Sequence, residues 1–532
     1  MSDYPLIADH GLVGDLQTAA LVATDGTIDW FCSPRFDSPS IFASLLDHRK
    51  GGHLRIRPAQ PTFSTRQLYL PDTAILITRF LTDEGVGELV DFMPVTGEQP
   101  TGDHRLVRLL SCVRGQLTFD VDIAPRFDYG RREHHVHVTD GGAVFTAGDM
   151  AMTLHAVRDP GDERLAQTRA GEGGATDLHL SIPLSAGQIR GLILETGSDG
   201  VPRAVSSSEV RQLFDDTVEY WRNWSARSTY TGRWREELLR SAITLKLMTN
   251  APTGGLVAAP TAGLPENVGG ERNWDYRYTW IRDASFSVYS LLKLGFTDEA
   301  VGFGQWLRRR VDERAGSEGP LDIMYRVDGS SDLVEEILPH LEGYRGSYPV
   351  RIGNGAAGQL QLDIYGEALD SIHLLDSSGQ QIGHQGWKAL CQVLDWLVDH
   401  WDQAEEGIWE TRGGRKHFTY GRLMSWVAFD RAIRMANAHG RPADLARWLT
   451  ARDAAYDQIM QRGWNAQRGA FVQHYDDRVL DASLLKMPTV GFVAPRDPMW
   501  LSTLRAMDEE LVADSLVYRY DPDASPDGLR GS

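Results

Sequence analysis

The chain has 532 residues, more than the usual ~100–200 of one domain, so at least two domains with separate cores are expected. Lys and Arg total 54 against 73 Asp and Glu, giving a formal net charge of −19 that would repel nucleic-acid phosphates and anionic membrane surfaces. Nucleic acid and membranes are therefore poor partners, whereas a neutral small molecule is compatible with this charge.

The N-terminus lacks the basic and apolar pattern of a secretory signal, and no run approaches the ~18 apolar residues of a membrane span, which predicts a cytoplasmic protein. Cys32, Cys112 and Cys391 are far apart in sequence, as isolated thiols in a reducing compartment would be. His135 and His137 would share one face of a strand, but a solvated face explains them better than a metal site. No metal and no cofactor are expected.

Up to about residue 205 the chain has the pattern of a β domain. Short alternating or apolar runs are separated by turn signals such as Asp25-Gly26. In residues 118–123, Phe119, Val121 and Ile123 alternate with polar side chains, the pattern of a strand buried on one side only. Residues 1–205 are therefore predicted to form a large antiparallel β-sandwich.

Residues 206–230 have the pattern of a helical linker. Ser206 and Glu209 have capping-box spacing, and apolar residues from Val210 to Trp221 follow at helical intervals. After this linker the periodicity predicts only helices, at about 233–249, 283–295, 298–312, 363–377, 384–400, 421–439, 442–463 and 497–512.

Three segments between these helices, 252–282, 313–360 and 403–420, far exceed the usual connection length, and loops of that length usually build a functional site. In the first of them large aromatic residues alternate with charges. Sugars need this mixture, because aromatic faces pack on pyranose C–H surfaces while charged planar groups bind vicinal hydroxyls. The candidate sugar-binding residues here are Tyr276, Trp280, Arg282 and Asp283. A structural Arg–Asp network under an aromatic core is the alternative.

A second cluster surrounds Trp409 and Glu410. A carboxyl group pressed against an indole loses hydration when ionised, so its pKa should rise, as a general acid at neutral pH requires. A surface turn is the alternative for this pair alone. A third region, residues 343–363, offers amide and guanidinium groups suited to hydroxyls, or is a loop bonded to itself. No phosphate-binding loop and no Gly-x-Ser-x-Gly turn is present.

At these residues the chain resembles glycoside hydrolase family 15, the bacterial trehalases and glucoamylases, over essentially its whole length. Residues 14–22 (GDLQTAALV) and 25–30 (DGTIDW) resemble the opening of that family's N-terminal domain. The resemblance implies a multidomain β and α architecture. An N-terminal super-β-sandwich over 1–205 is followed by the helical linker and by an (α/α)6 barrel over 231–532, whose mouth holds the site.

The resemblance also implies roles for individual residues. Arg282 and Asp283 resemble the pair that grips the hydroxyls of the terminal glucose, with Trp280 beside them, and Tyr276 resembles the aromatic residue flanking the reacting carbon. The pair Trp409 and Glu410 resembles the general-acid motif.

One position departs from the fungal glucoamylases of the family, because Thr411 stands where they carry a second acidic residue. This puts the hydroxyl contacts of the leaving-sugar subsite in doubt. The candidates for that subsite are Arg345, Arg412, Lys416 and His417.

The general base of an inverting glycosidase is a second carboxylate, about 6.5–9.5 Å from the acid. The resemblance places it beyond the stretch that residues 521–529 resemble, and the sequence stops at Ser532. A C-terminally truncated, incomplete barrel is therefore expected, unless a nearer acid substitutes. An incomplete barrel would expose apolar surface, so a homo-oligomer is a possible consequence.

These observations lead to three hypotheses. The first is an inverting, exo-acting hydrolase that releases glucose from the non-reducing end of small α-glucosides, of trehalase or glucoamylase type, with trehalose as the preferred substrate. The second is a transferase of the disaccharide phosphorylase type, which uses phosphate where a hydrolase uses a base. The third is a catalytically impaired sugar-binding protein.

Overall fold

The computed structural model describes residues 4–95, 102–159, 177–197, 200–313, 321–411 and 413–521. In the described residues up to Val205, fifteen strands form one continuous antiparallel network with a single parallel pairing. They are β1 His10–Gly14, β2 Ala19–Ala23, β3 Thr27–Cys32, β4 Ser40–Phe42, β5 His53–Pro58, β6 Ser64–Tyr69, β7 Leu76–Leu81, β8 Gly85–Phe92, β9 His104–Ala124, β10 His135–Thr139, β11 Gly142–Ala147, β12 Met150–Val157, β13 Leu178–Ser185, β14 Ile189–Thr196 and β15 Ala204–Val205.

The network divides into two sheets, and the 21-residue strand β9 runs through both of them. Its first half pairs with β8 and β14, in the order β6-β7-β8-β9-β14-β12-β11-β10. Its second half pairs with β5 and β13, in the order β1-β2-β3-β5-β9-β13. Gly115 lies between the halves with φ at +77°, where a Cβ would stand 2.0 Å from the Glu84 carbonyl oxygen. Only glycine fits this crossing.

The two sheets bury a common apolar core. Phe31 and Leu54 come from one sheet and Phe80 and Leu106 from the other, and none of these four side chains is exposed. The predicted strand at residues 118–123 is confirmed, since its apolar positions, Phe119 among them, face this core. The sheet-rich N-terminal domain is therefore a sandwich with its own core.

A one-turn segment, α1 Phe127–Gly130, lies between β9 and β10. The remaining helices follow the fifteen strands, and they are α2 Ser207–Ser225, α3 Arg235–Leu247, α4 Ile281–Lys293, α5 Asp298–Glu313, α6 Asp363–Ser377, α7 His384–His400, α8 Thr419–His439, α9 Leu445–Gln458 and α10 Pro498–Glu510. Helix α2 starts at the predicted cap, where the hydroxyl oxygen of Ser206 accepts the Glu209 N–H at 3.2 Å. The second half of the capping box is absent, because the Glu209 carboxylate binds Arg203 instead.

The helices of the C-terminal domain form two layers. The inner helices α4, α6 and α8 pack side by side, and α8 is buried on all faces over residues 419–433. Gly366 of α6 lets the backbones approach, since a Cβ there would lie 2.1 Å from the Met424 carbonyl oxygen of α8. The outer helices α5, α7 and α9 bury one face each. In the described residues this domain has eight helices, α3 to α10, whereas a complete (α/α)6 barrel has six per layer.

The two domains meet at a buried charge network. Arg277 is 1 % exposed; its guanidinium binds Asp275 at 2.7 Å and donates to the Ser38 carbonyl and the Tyr129 hydroxyl at 2.8 Å each. Its Nη1 also donates to the Sγ of Cys32 at 3.4 Å. The sandwich therefore holds the segment that leads into α4.

Two further findings concern the whole described chain. None of the described helices has the length and apolar character needed to cross a membrane. Cys32, Cys112 and Cys391 form no disulfide, as predicted.

Candidate active site

A cavity of about 760 Å³ lies at the N-terminal ends of the inner helices α4 and α8. Parts of all three long segments line it, together with a stretch before α10. The structure brings six of the predicted site residues to this cavity: Tyr276, Trp280, Arg282, Asp283, Trp409 and Glu410. Residues that lie up to 134 positions apart in the chain thus share one chamber with aromatic and charged walls.

Glu410 is held by two donors on the same oxygen. Its Oε1 accepts the indole N–H of Trp280 at 2.7 Å and a guanidinium N–H of Arg282 at 3.3 Å. Its side chain is 22 % exposed. Burial raises the pKa of Glu410, and the charge of Arg282 and the Trp280 N–H oppose this rise. Because both donors bind Oε1, a proton on this carboxyl group belongs on Oε2.

Arg282 is fixed on several sides. Its Nη1 donates to the Gln361 Oε1 at 2.9 Å and to the Ile408 carbonyl at 3.1 Å, and its Nη2 lies 3.2 Å from Asp283. The buried Asp363, the first residue of α6, adds a carboxylate 3.8 Å from Nη1. The Arg282 side chain is only 12 % exposed but that of Asp283 is 38 % exposed. The arrangement therefore presents an anchored guanidinium beside an accessible carboxylate.

The loop that carries Glu410 is tied to the segment before α6. Glu405 is buried, and its Oε2 accepts the Leu362 N–H at 2.6 Å. Glu406 accepts the Leu360 N–H at 2.8 Å, and the Thr411 hydroxyl donates to the Glu406 carbonyl at 3.0 Å. Burial raises the pKa of Glu405 to about 8. Thr411 thus supports the loop and does not line the cavity.

Two aromatic residues shape the walls beside Glu410. The Tyr276 ring packs at 41° against Trp280, with ring centroids 5.7 Å apart. The indole N–H of Trp409 donates to both carboxylate oxygens of Asp481, at 3.1 and 3.0 Å. The Arg519 guanidinium lies 5.3 Å above the Trp409 ring. Residues from the C-terminal part of the domain, Asp481 and Arg519, therefore hold Trp409 in place.

Three of the four predicted leaving-sugar residues lie away from this cavity. Arg345 donates to the Tyr4 carbonyl at 3.1 Å, Lys416 lies 3.0 Å from a His474 ring nitrogen, and His417 lies 2.7 Å from Arg422. These partners hold the three side chains elsewhere, and none of the three lines the chamber. Arg412 lies outside the described residues.

The cavity also includes residues that were not among the predicted site residues. Among them are Phe286, Tyr420, Lys486 and Arg519, and Asp481 supports the wall from behind. Phe286 follows Asp283 by three residues on one helix face, a spacing that could have included it. Lys486 and Asp481 lie in a stretch without helical periodicity and gave no signal.

The charges of the lining are balanced. Four basic side chains, Arg272, Arg282, Lys486 and Arg519, face four acidic ones, Glu266, Asp283, Glu335 and Glu410. Elsewhere too, no cluster of three or more His, Cys, Asp or Glu side chains in the described part of the chain is placed to hold a metal ion. The lining suits a neutral ligand rich in hydroxyl groups.

A carboxyl group in a chamber large enough for a sugar, at the N-terminal ends of a double layer of helices, has the features expected of a glycoside hydrolase site. The family model "Glycosyl hydrolases family 15" matches residues 232–532, and the model "Trehalase-like, N-terminal" matches residues 2–168. The chain belongs to glycoside hydrolase family 15.

Individual relatives agree with this assignment. The trehalase of Thermoplasma volcanium is 33% identical over 99% of this chain and 82% of its own length. The trehalase of Mycolicibacterium smegmatis is 35% identical over 99% of this chain and 80% of its own length. A solved bacterial glucoamylase, in complex with acarbose, superposes with a TM-score of 0.68 at 10% identity, covering 98% of this chain and 82% of the glucoamylase. This likeness confirms the predicted fold, a β-sandwich followed by an (α/α)6 barrel.

Proposed function

We propose that this glycoside hydrolase is a trehalase-type enzyme that releases glucose from the non-reducing end of small α-glucosides with inversion. The observation that carries the proposal is the environment of Glu410, whose carboxyl group lies in the cavity with one oxygen bound by two donors. The names of the relatives at 33% and 35% identity support trehalose as the substrate.

Glu410 is the general acid of this reaction. Burial raises its pKa, which keeps a proton on the group nearer to neutral pH, and Oε2 delivers that proton to the glycosidic oxygen. The bond between C1 and this oxygen then breaks while a water molecule attacks C1 from the opposite face. Attack on that face gives β-glucose from an α-glucoside.

Arg282 and Asp283 bind the sugar whose C1 reacts. Asp283 accepts hydrogen bonds from hydroxyl groups, and Arg282 orients that carboxylate at 3.2 Å. Tyr276, Trp280 and Trp409 offer ring faces and edges to the pyranose C–H groups. With four basic and four acidic side chains, the lining has no strong excess of positive charge for a phosphorylated sugar.

In the described lining, each of the other acidic side chains is paired with a guanidinium group, so we do not assign the water-activating base to any of them. Asp283 pairs with Arg282 at 3.2 Å, Glu335 with Arg351 at 3.4 Å, and Glu266 lies 3.8 Å from Arg519. The hydrolytic proposal therefore requires a further carboxylate on the face of the sugar opposite Glu410.

The test is a product analysis with the purified protein and trehalose. Inverting hydrolysis gives one β-glucose from the attacked ring and one α-glucose from the leaving ring, which proton NMR resolves before mutarotation. Two α-glucose molecules would contradict inversion. Glucose 1-phosphate formed only in the presence of phosphate would replace hydrolysis by phosphorolysis, and binding without turnover would leave an impaired sugar-binding protein. With maltopentaose labelled at its reducing end, unlabelled glucose and labelled maltotetraose as the first products support the exo mode, whereas early maltose and maltotriose from an internal cut contradict it.

A further inference from the structure

A hydrogen-bonded pair, the buried Glu367 and the partly exposed Lys486, supports one wall of the cavity. Glu367 of α6 is 1 % exposed, and its Oε2 accepts a hydrogen bond of 2.8 Å from the ammonium group of Lys486. Its Oε1 accepts the hydroxyl hydrogen of Tyr420, from α8. The Lys486 nitrogen also lies 3.9 Å above the centroid of Phe286, on α4. Lys486, Tyr420 and Phe286 line the cavity, whereas Glu367 is closed off behind them.

This group lies one helical turn below the Arg282–Asp283 pair. Phe286 follows Asp283 by three residues on α4, and Glu367 follows Asp363 by four residues on α6. At 1.5 Å per residue these side chains lie about 5 Å further from the helix N-termini, roughly the width of one sugar ring. They form the floor of the chamber, so the sugar edge that reaches them is the edge remote from C1.

The floor offers both hydrogen-bonding roles. An ammonium group has three N–H donors, of which Glu367 takes one and the Phe286 ring faces another, so a third remains for the cavity. The Tyr420 hydroxyl gives its hydrogen to Glu367 and keeps an oxygen that accepts. A sugar hydroxyl, which both donates and accepts, fits between these two groups.

We propose that Lys486, oriented by Glu367, is a specificity-determining residue that binds a glucose hydroxyl remote from C1. The inference rests on the proposed function, since it assigns the floor of the same sugar-binding chamber. Phe286 seats the C–H face of the sugar next to this hydroxyl, and the buried Glu367 carboxylate fixes the ammonium group so that little side-chain entropy is lost on binding. The floor then rejects sugars that lack the hydroxyl, because their binding leaves the third N–H donor of the ammonium group unsatisfied.

The experiment measures binding of glucose and of its 3-deoxy, 4-deoxy and 6-deoxy analogues, by titration of the fluorescence of the cavity tryptophans. In the parent protein one analogue is expected to bind about tenfold more weakly than glucose, or worse. In Lys486→Met this analogue should bind as tightly as glucose does, while the affinities of the other two analogues relative to glucose stay as they are in the parent. A purely structural lysine would weaken all four ligands alike, which would overturn the inference.

The control is Lys293→Met, because Lys293 also lies over an aromatic ring, that of Tyr289 at 5.3 Å, but does not line the cavity. It should keep every penalty. If Lys486→Met does not fold, the double variant Glu367→Gln, Lys486→Met is measured in its place, because it removes the carboxyl group together with the ammonium group that it binds. A parent that binds none of the sugars contradicts the proposed function and the inference with it. A parent that binds glucose with penalties unchanged in the variant contradicts the inference alone.

Discussion

The indole N–H of Trp280 donates a hydrogen bond of 2.7 Å to the Oε1 of Glu410. This bond joins the two sequence segments, one around Trp280 and one around Glu410, that were predicted to form the site. Trp280 precedes α4 directly, whereas Glu410 lies in the loop before α8 with φ at +57°. The bond stabilises the ionised carboxylate and so lowers the pKa of Glu410 against the effect of burial, which raises it.

Removing this donor should shift the pH dependence of catalysis. Trp280→Phe takes away the N–H that favours the ionised form, so the pKa of Glu410 rises further. The acid then keeps its proton to higher pH, and the alkaline limb of kcat/KM moves upward. The matched control is Trp409→Phe, because that indole binds Asp481 and not Glu410. A limb that stays in place in Trp280→Phe, or moves equally in both variants, would contradict the assignment of Glu410 as the acid.

Asp283→Asn and Arg282→Ala should weaken sugar binding and catalysis together. Loss of a charged hydrogen-bonding group in the cavity costs about 1–3 kcal/mol, so kcat/KM on trehalose should fall by about 5- to 150-fold. Asp283 also raises the pKa of Glu410, so in Asp283→Asn the alkaline limb should move to lower pH. Unchanged kinetics in these variants would remove this pair from the site.

The helices and the sandwich could be predicted because they depend on local periodicity. The pattern at 384–400 coincides with α7, His384–His400, and the predicted start at 421 differs from that of α8 by two residues. The helix predicted over 442–463 ends earlier, since its last turn widens into a π-helical segment at Ile459–Gly463. The geometry of a helix end depends on how the helix packs against its neighbours, and the spacing of apolar residues along the chain does not describe that packing.

The cavity was only partly predictable for a related reason. Residue types in the segments around Trp280 and Glu410 indicate sugar chemistry, but they do not give the direction of each side chain. Lys416 and His417 had suitable types and turn to His474 and Arg422 instead. Conversely, Lys486 joins the wall through Glu367, a residue 119 positions away, and no local pattern encodes that contact.

The buried carboxyl groups below the site should make the protein less stable as pH rises. The pKa of Glu405 is about 8 in the folded chain against an ordinary 4.5, so between these values only the folded state holds the proton. The free energy of unfolding should therefore fall from about pH 4.5 to pH 8, by a few kcal/mol. Glu367 and Asp363, with pKa values raised by burial to about 7 and about 6, act in the same sense.

Glu405→Gln removes this titration and keeps an acceptor for the Leu362 N–H. Urea unfolding at pH 5 and pH 8 should show a smaller loss of stability for this variant than for the parent. The neighbouring Glu406→Gln, in which the altered side chain lies beside the exposed Arg415, is the control. Equal losses in the parent and Glu405→Gln would contradict the prediction.

Arg277→Met should destabilise the chain strongly through the junction of the two domains. The change leaves the buried Asp275 carboxylate without its guanidinium, a loss of about 3–5 kcal/mol for a buried pair. Denaturant unfolding measures this loss. Arg131→Met, which breaks partly exposed pairs with Asp128 and Glu336, should cost at most about 1 kcal/mol per pair. Similar small effects of both substitutions would show that the junction contributes little to stability.

The most direct test of the account is Glu410→Gln measured on two substrates with different leaving groups. The amide keeps the shape of the side chain but cannot deliver a proton, so hydrolysis of trehalose should fall by about 10²–10⁴-fold while binding stays nearly intact. α-Glucosyl fluoride leaves with little need of protonation, so the variant should retain much more activity on it than on trehalose. Equal loss on both substrates, or a variant as active as the parent on trehalose, would contradict the assignment of Glu410 as the general acid.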